Sequence, residues 1–176
     1  KAGVEAIELE VSDATRPGQV IMPHGFDLSY VIKRSLVEYP VFGNVVKARD
    51  PVVVDRVNPR DDLKVVMEEG PKRLDQGRSL IIFPQHTRTV EFDPKQFNSI
   101  GVKLAQKTNA LVVPVALLSW AWSAGKMVKD FGKIIPSRTI HFAFGKPMEI
   151  SNKGKEEHAQ IVDFIEDHLK QWKASD

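Results

Sequence analysis

Residues 51–83 read PVVVDRVNPRDDLKVVMEEGPKRLDQGRSLIIF, and this stretch decides the fold. Pro51 to Val54 is a β-branched run too apolar for anything but a central strand. Asn58, Pro59, Asp61 and Asp62 supply an N-cap, a first-turn proline and two acids at the positive end of a helix dipole. The helix they start is ended by Gly77, with Leu63, Val66, Met67 and Leu74 as its inner face. Ser79 to Phe83 is the next buried strand. Strands alternating with a helix point to an α/β sheet.

Working outward, Val4, Ala6, Leu9 and Val11 interleaved with Glu5, Glu8 and Glu10 read as a half-exposed strand closed by Arg16-Pro17-Gly18. Gln19 to Met22 reads as a short buried strand that delivers Pro23, His24 and Gly25 to a strand end, where α/β folds keep their chemistry. Leu28, Val31, Ile32 and Ser35 to Val37 predict a short helix ended by Pro40. Downstream come a polar loop over Pro84 to Asp93 and a helix from Pro94 with Phe97, Ile100, Leu104 and Ala105 on one side. Strands follow at Leu111 to Leu117 and Thr139 to Phe144, then a helix over Lys155 to Trp172 with Ile161, Ile165, Leu169 and Trp172 at helical spacing. The expectation is one α/β domain over residues 1–176 with a mixed, largely parallel central sheet flanked by helices.

A chain of 176 residues with 42% hydrophobic and 27% charged residues can bury a real core. The formal charge of +2 is too small for wholesale capture of nucleic acid, so no nucleic-acid partner is expected and any anion site must be local. Zero cysteines exclude disulfides, thiolate zinc sites and a Cys nucleophile, leaving His, carboxylate, hydroxyl or lysine for catalysis. His158 and His168 are too far apart on one helix to share a metal, and both read as surface residues; no metal site is expected. No stretch approaches the ~18 apolar residues of a membrane span. A first residue that is Lys1 and not Met predicts a missing N-terminal segment that anchors the chain.

Three constellations carry chemistry. His24 follows an apolar strand with Asp27 close behind, and a histidine oriented by an acid can take a proton from a hydroxyl near neutral pH. The same spacing fits a strand-end histidine capped by a nearby acid. In Phe83-Pro84-Gln85-His86-Thr87-Arg88-Thr89, the Arg88 fork suits phosphate and the Thr87 and Thr89 hydroxyls add donors, although a solvated polar loop reads the same way. Arg56 leaves a buried strand in Val53-Val54-Asp55-Arg56 at the same sheet end as His24, either for substrate or as an Asp-Arg pair capping the next helix.

Taken in order, these blocks resemble the glycerolipid acyltransferases, the 1-acylglycerol-3-phosphate O-acyltransferase family. That family carries a His and an Asp separated by four residues, a Gly followed by a strand ending in Asp-Arg, a Phe-Pro-Glu-Gly-Thr-Arg block and an apolar Val-Pro-Val block. Here they correspond to Pro23-His24-Gly25-Phe26-Asp27, to Phe42-Gly43 leading to Val54-Asp55-Arg56, to Phe83-Pro84-Gln85-His86-Thr87-Arg88, and to Val112-Val113-Pro114-Val115. Gln85 and His86 stand where the family has Glu and Gly, and His24 and Asp27 lie two residues closer than its pattern.

The resemblance implies transfer of an acyl group from a thioester, on acyl-CoA or acyl carrier protein as co-substrate with no further cofactor, to the free hydroxyl of a lysophospholipid. Lysophosphatidic acid is the expected acceptor; an aminolipid acceptor and a catalytically inactive phospholipid-binding relative are the alternatives. His24 is the implied base with Asp27 as its acid. Arg88 and Thr87, with Arg56 or Lys47, are the implied phosphate ligands, flanked by Gln85 and His86. The short His-to-Asp interval predicts residues missing beside Gly25, which a Cα separation well beyond about 3.8 Å would reveal. The stretch Ser119 to Lys133 interleaves Trp120, Trp122, Met127 and Phe131 with three lysines, a pattern suited to anionic lipid or equally to buried indoles before a solvated loop. The expected location is the cytoplasmic face of a membrane, peripheral or anchored through the missing segment.

Overall fold

The computed structural model describes residues 3–11, 27–40, 42–85, 92–119, 135, 137 and 139–175. Strands β1 (Gly3–Val11), β2 (Leu28–Lys33), β3 (Val52–Val54), β4 (Ser79–Ile82), β5 (Leu111–Ser119) and β6 (His141–Phe144) form one sheet in the order β3-β2-β4-β1-β5-β6. β2 pairs parallel with β3 and β4, while β1 pairs antiparallel with β4 and β5, and β5 with β6. It follows that β2, β3, β4 and β5 point one way, which makes the sheet mixed and largely parallel in direction, as expected.

Helices α1 (Arg34–Val37) and α2 (Phe42–Lys47) connect β2 to β3, α3 (Pro59–Asp75) connects β3 to β4, α4 (Ile100–Thr108) precedes β5, and α5 (Lys155–Ser175) closes the chain. α3, α4 and α5 cover one face. Val66 and Leu74 of α3 and Leu104 of α4 pack on Val31, Val52, Val54, Leu80 and Ile82. Val102 and Ala105 of α4 and Ile161, Ile165 and Leu169 of α5 pack on Val112, Ala116 and Leu118. Each large apolar side chain fully buried there contributes roughly 1.5–3 kcal/mol.

The α3 boundaries follow the reading. The Asn58 side chain accepts the Arg60 N–H at 3.0 Å, Pro59 begins the helix, and Gly77 sits beyond its end at φ +76°. Pro71 lies inside α3 and has no N–H to offer the Met67 carbonyl one turn back; Lys107 Nζ fills that vacancy at 2.7 Å. Lys107→Ala should therefore lower stability by about 1 kcal/mol, measured by urea unfolding. Gly43 explains its own identity as well: a Cβ there would meet the Val37 carbonyl oxygen at 2.2 Å, so no other residue fits against the end of α1.

Four expectations need correction. Residues 28–33 form strand β2, not helix, because the run Tyr30-Val31-Ile32 is aromatic and β-branched and finds parallel partners on both sides. The helix expected from Pro94 is a 3-10 turn over Pro94–Gln96 that breaks at Phe97, with α4 restarting at Ile100. The inner row of α3 is Asp62, Val66, Gly70 and Leu74, so Asp62 is buried. Gly70 belongs there because a Cβ would meet Leu104 at 2.6 Å.

His158 and His168 are the fourth correction, since both are half-buried. The His168 ring packs between Phe164 and Trp172, and its Nδ1 lies 2.8 Å from the Phe164 carbonyl. The His158 ring lies against Phe97 with a buried Nδ1 that has no hydrogen-bond partner among the described residues, and burial pushes its pKa below 6.5. Its neighbour Glu157 accepts from the Ser151 hydroxyl and N–H, which hold the carboxyl below its ordinary range. A depressed His is more readily protonated in the unfolded chain, so stability falls as pH drops below 6.5; the Glu157 contribution is lost at lower pH, through its folded pKa. Melting temperature should decline from pH 7 to 5, and His158→Phe should flatten that upper limb.

Candidate functional site

Two polar clusters occupy opposite edges of the parallel strands. At the carboxyl edge, Arg56 follows β3 at φ +56°, a left-handed conformation stabilised because Asp62 Oδ1 accepts the N–H groups of both Asp55 and Arg56 at 3.2 Å. The guanidinium crosses to the end of β4, where Nη1 donates to the Gln85 carbonyl at 2.6 Å and Nη2 to the Phe83 carbonyl at 3.1 Å. Burial pulls its pKa below the ordinary value, and the Asp62 charge partly opposes this. Two of its five N–H donors are thus engaged by backbone among the described residues. Asp55 turns away to an exposed pair with Arg34 at 2.5 Å, an interaction worth little in water.

The segment after β4 is held from a second side. Asn98 donates to the Pro84 carbonyl through both its backbone N–H and its side-chain amide. Gln85 is buried at 8% exposure, and its Oε1 has no hydrogen-bond partner among the described residues. The chain thus leaves β4 on fixed carbonyls just ahead of Thr87 and Arg88 in sequence.

Asp27 lies at the other edge, immediately before β2. Its carboxylate accepts Arg78 Nε at 2.8 Å and its carbonyl accepts the Ser79 N–H at 3.1 Å. Arg78 is buried and also reaches Asp50 Oδ2 at 3.4 Å and the Arg49 carbonyl at 3.0 Å. Asp50, at φ +45°, further takes Arg73 at 2.9 Å, and its carbonyl accepts the Ser29 hydroxyl at 2.8 Å. The result is a clasp joining the amino ends of β2, β3 and β4. Lys47 ends α2 on this side, its carbonyl accepting the Asp50 N–H at 3.0 Å.

Of the residues read from sequence, Arg56 and Gln85 therefore meet at the carboxyl edge, whereas Asp27 and Lys47 lie across the sheet from them. His24, His86, Thr87 and Arg88 fall outside the described residues, as do the gap expected beside Gly25 and the segment with Trp120, Trp122, Met127 and Phe131. The sequence reading missed Asp62 as a loop anchor and Asp50 as the centre of the clasp. Asp62 had a signal, since it stands four residues before Val66 in the buried row.

Comparison with known proteins matches the Acyltransferase family model to residues 19–118, more than half of the chain. A 1-acyl-sn-glycerol-3-phosphate acyltransferase from Pseudomonas aeruginosa is 29% identical over 134 residues, covering 76% of this chain and 50% of that protein. One from Cocos nucifera is 28% identical over 94 residues, covering 51% of this chain and 30% of its own length. The chain thus spans about half the length, or less, of these curated relatives. No solved structure matches it significantly. The family match begins upstream of His24 and ends at the close of β5, enclosing both the Arg56 brace and the block it supports, and this chain belongs to the Acyltransferase family.

Proposed function

We propose that this chain moves a fatty acyl group from an acyl thioester to the free hydroxyl of a lysophospholipid, with lysophosphatidic acid as acceptor and phosphatidic acid as product. The observation that carries the reading is the family match over residues 19–118, which takes in the carboxyl edge where the half-buried Arg56 braces the Phe83 and Gln85 carbonyls just ahead of Thr87 and Arg88 in sequence. In the step, His24 takes the hydroxyl proton as the oxygen attacks the thioester carbonyl. The C–S bond of the resulting tetrahedral species then breaks, and the departing thiolate is protonated by the imidazolium. Arg88 and Arg56 hold the acceptor phosphate through charge-assisted hydrogen bonds. Acyl-CoA and acyl carrier protein are both admissible donors.

Labelled acyl-CoA offered with a panel of lysolipids tests this directly. Transfer to lysophosphatidate above the others is expected; transfer to none would leave a phospholipid-binding relative. Arg88→Ala should weaken phosphorylated acceptors far more than unphosphorylated ones, and Lys there should restore only part, because a point charge cannot reproduce the planar fork. Equal losses for both kinds of acceptor would refute the phosphate role.

The clasp around Arg78 supports a structural role for Asp27. Asp27→Asn should leave turnover at the wild-type order and lower stability by at most about 1 kcal/mol, since that carboxylate is well exposed. Turnover reduced a hundredfold or more would return Asp27 to the catalytic pair.

Membrane association belongs to the same proposal. Among the described residues no helix is long and apolar enough to cross a membrane. A peripheral position at the cytoplasmic face, made by Trp120, Trp122, Met127 and Phe131, predicts that their replacement with Ser reduces co-sedimentation with anionic vesicles. Unchanged co-sedimentation would place the segment elsewhere.

A further inference from the structure

A cavity of about 260 Å³ opens at the carboxyl edge, between the sheet and the first turns of α3 and α4. Its floor is apolar, made by Val31, Val54, Leu63 and Ile82. Three cations, Arg56, Arg60 and Lys103, line it as well. The acid among the described lining residues is Asp62, and its Oδ1 already accepts two backbone N–H groups. The neighbouring cleft, about 440 Å³, differs in sign: among its described lining residues Glu38, Asp55, Asp61 and Asp62 face one cation, Arg34. A phosphate is repelled from that cleft and attracted to the smaller cavity, and only the smaller one joins an apolar floor to a cationic lining.

We propose that this cavity seats the alkyl chain of a phosphate-bearing amphiphile, with Arg60 and Lys103 joining Arg56 in holding the phosphate at its mouth. The inference deepens the acyltransferase reading and rests on it for the identity of that amphiphile as the acceptor. It gives Arg60 and Lys103 a positioning role: they fix the phosphate so that the chain enters the floor and the glycerol hydroxyl stays at the strand ends. Leu63, at the floor, sets how much chain fits.

The test is equilibrium binding of dodecyl phosphate by calorimetry, with dodecanol and inorganic phosphate as the headless and tailless arms. Dodecyl phosphate should bind at least about tenfold more tightly than either arm. Within an alkyl phosphate series the affinity should rise about fourfold per methylene and then level off when the floor is full. Arg60→Gln combined with Lys103→Gln should weaken dodecyl phosphate at least about tenfold while dodecanol is unchanged. Leu63→Trp should move the plateau to shorter chains; if that variant does not fold, the wild-type series decides. Binding indifferent to chain length, or a double glutamine variant that binds as tightly as wild type, overturns the proposal. No thioester is present, so these outcomes stand whether or not acyl transfer occurs. Conversely, transfer to lysophosphatidate that persists unchanged in the double variant overturns the cavity assignment alone.

Discussion

His24→Ala should reduce acyl transfer by about 10² to 10⁴ while the folded chain still binds phosphorylated lipid, because loss of a positioned general base typically costs that much. An acceptor hydroxyl is a poor nucleophile until its proton has somewhere to go, and the chain has no cysteine to take an acyl group by another route. The arginines at the carboxyl edge do not accept protons, so they can hold the acceptor in the variant but cannot activate it. Apparent affinity for lysophosphatidate should therefore change little while kcat falls. Turnover retained at the wild-type level would remove His24 from the mechanism.

Arg56→Ala should damage stability and activity together. The substitution leaves the Phe83 and Gln85 carbonyls without their donor; a buried group left unpaired costs roughly 1–3 kcal/mol and Phe83 is only half-buried, so a loss of about 2–4 kcal/mol is expected. For a domain of this size that is a fall in melting temperature on the order of 5–15 °C. Backbone strain at φ +56° does not confuse the comparison, because arginine, alanine and lysine all carry a Cβ there. Activity should fall further than the unfolded fraction explains, since the brace fixes where the chain leaves β4 for the Thr87-Arg88 block. Arg56→Lys should recover a minority of both losses: one ammonium reaches one carbonyl well but cannot fork across two. An alanine variant with wild-type melting temperature would show that the brace holds nothing.

Local signals made much of this architecture legible. Asn58-Pro59 and Gly77 bracket α3 by backbone chemistry that tertiary context does not override, and the apolar runs of β3, β4 and β5 are too hydrophobic for any place but the sheet. The failures share a cause. Leu28, Val31 and Ile32 fit a helical period by accident, and only pairing with β3 and β4, remote in sequence, makes that segment a strand. The candidate site divides similarly. The family resemblance grouped Arg56 with the third block as phosphate ligands, and the Arg56 contacts to Phe83 and Gln85 bring those segments together. That Asp27 closes a clasp with Arg78 depends on which edge of β2 it occupies, a property of strand direction that spacing from His24 does not encode.

The most direct test of direct thioester attack is thiol release measured beside ester formation. With no cysteine in the chain, a thiol-reactive chromophore reports only the CoA set free. Direct attack predicts thiol release from acyl-CoA that is slow without acceptor, accelerates on addition of lysophosphatidate, and matches phosphatidate formed one for one. Thiol release at the same rate without lysophosphatidate, or with no phosphatidate formed, would contradict it.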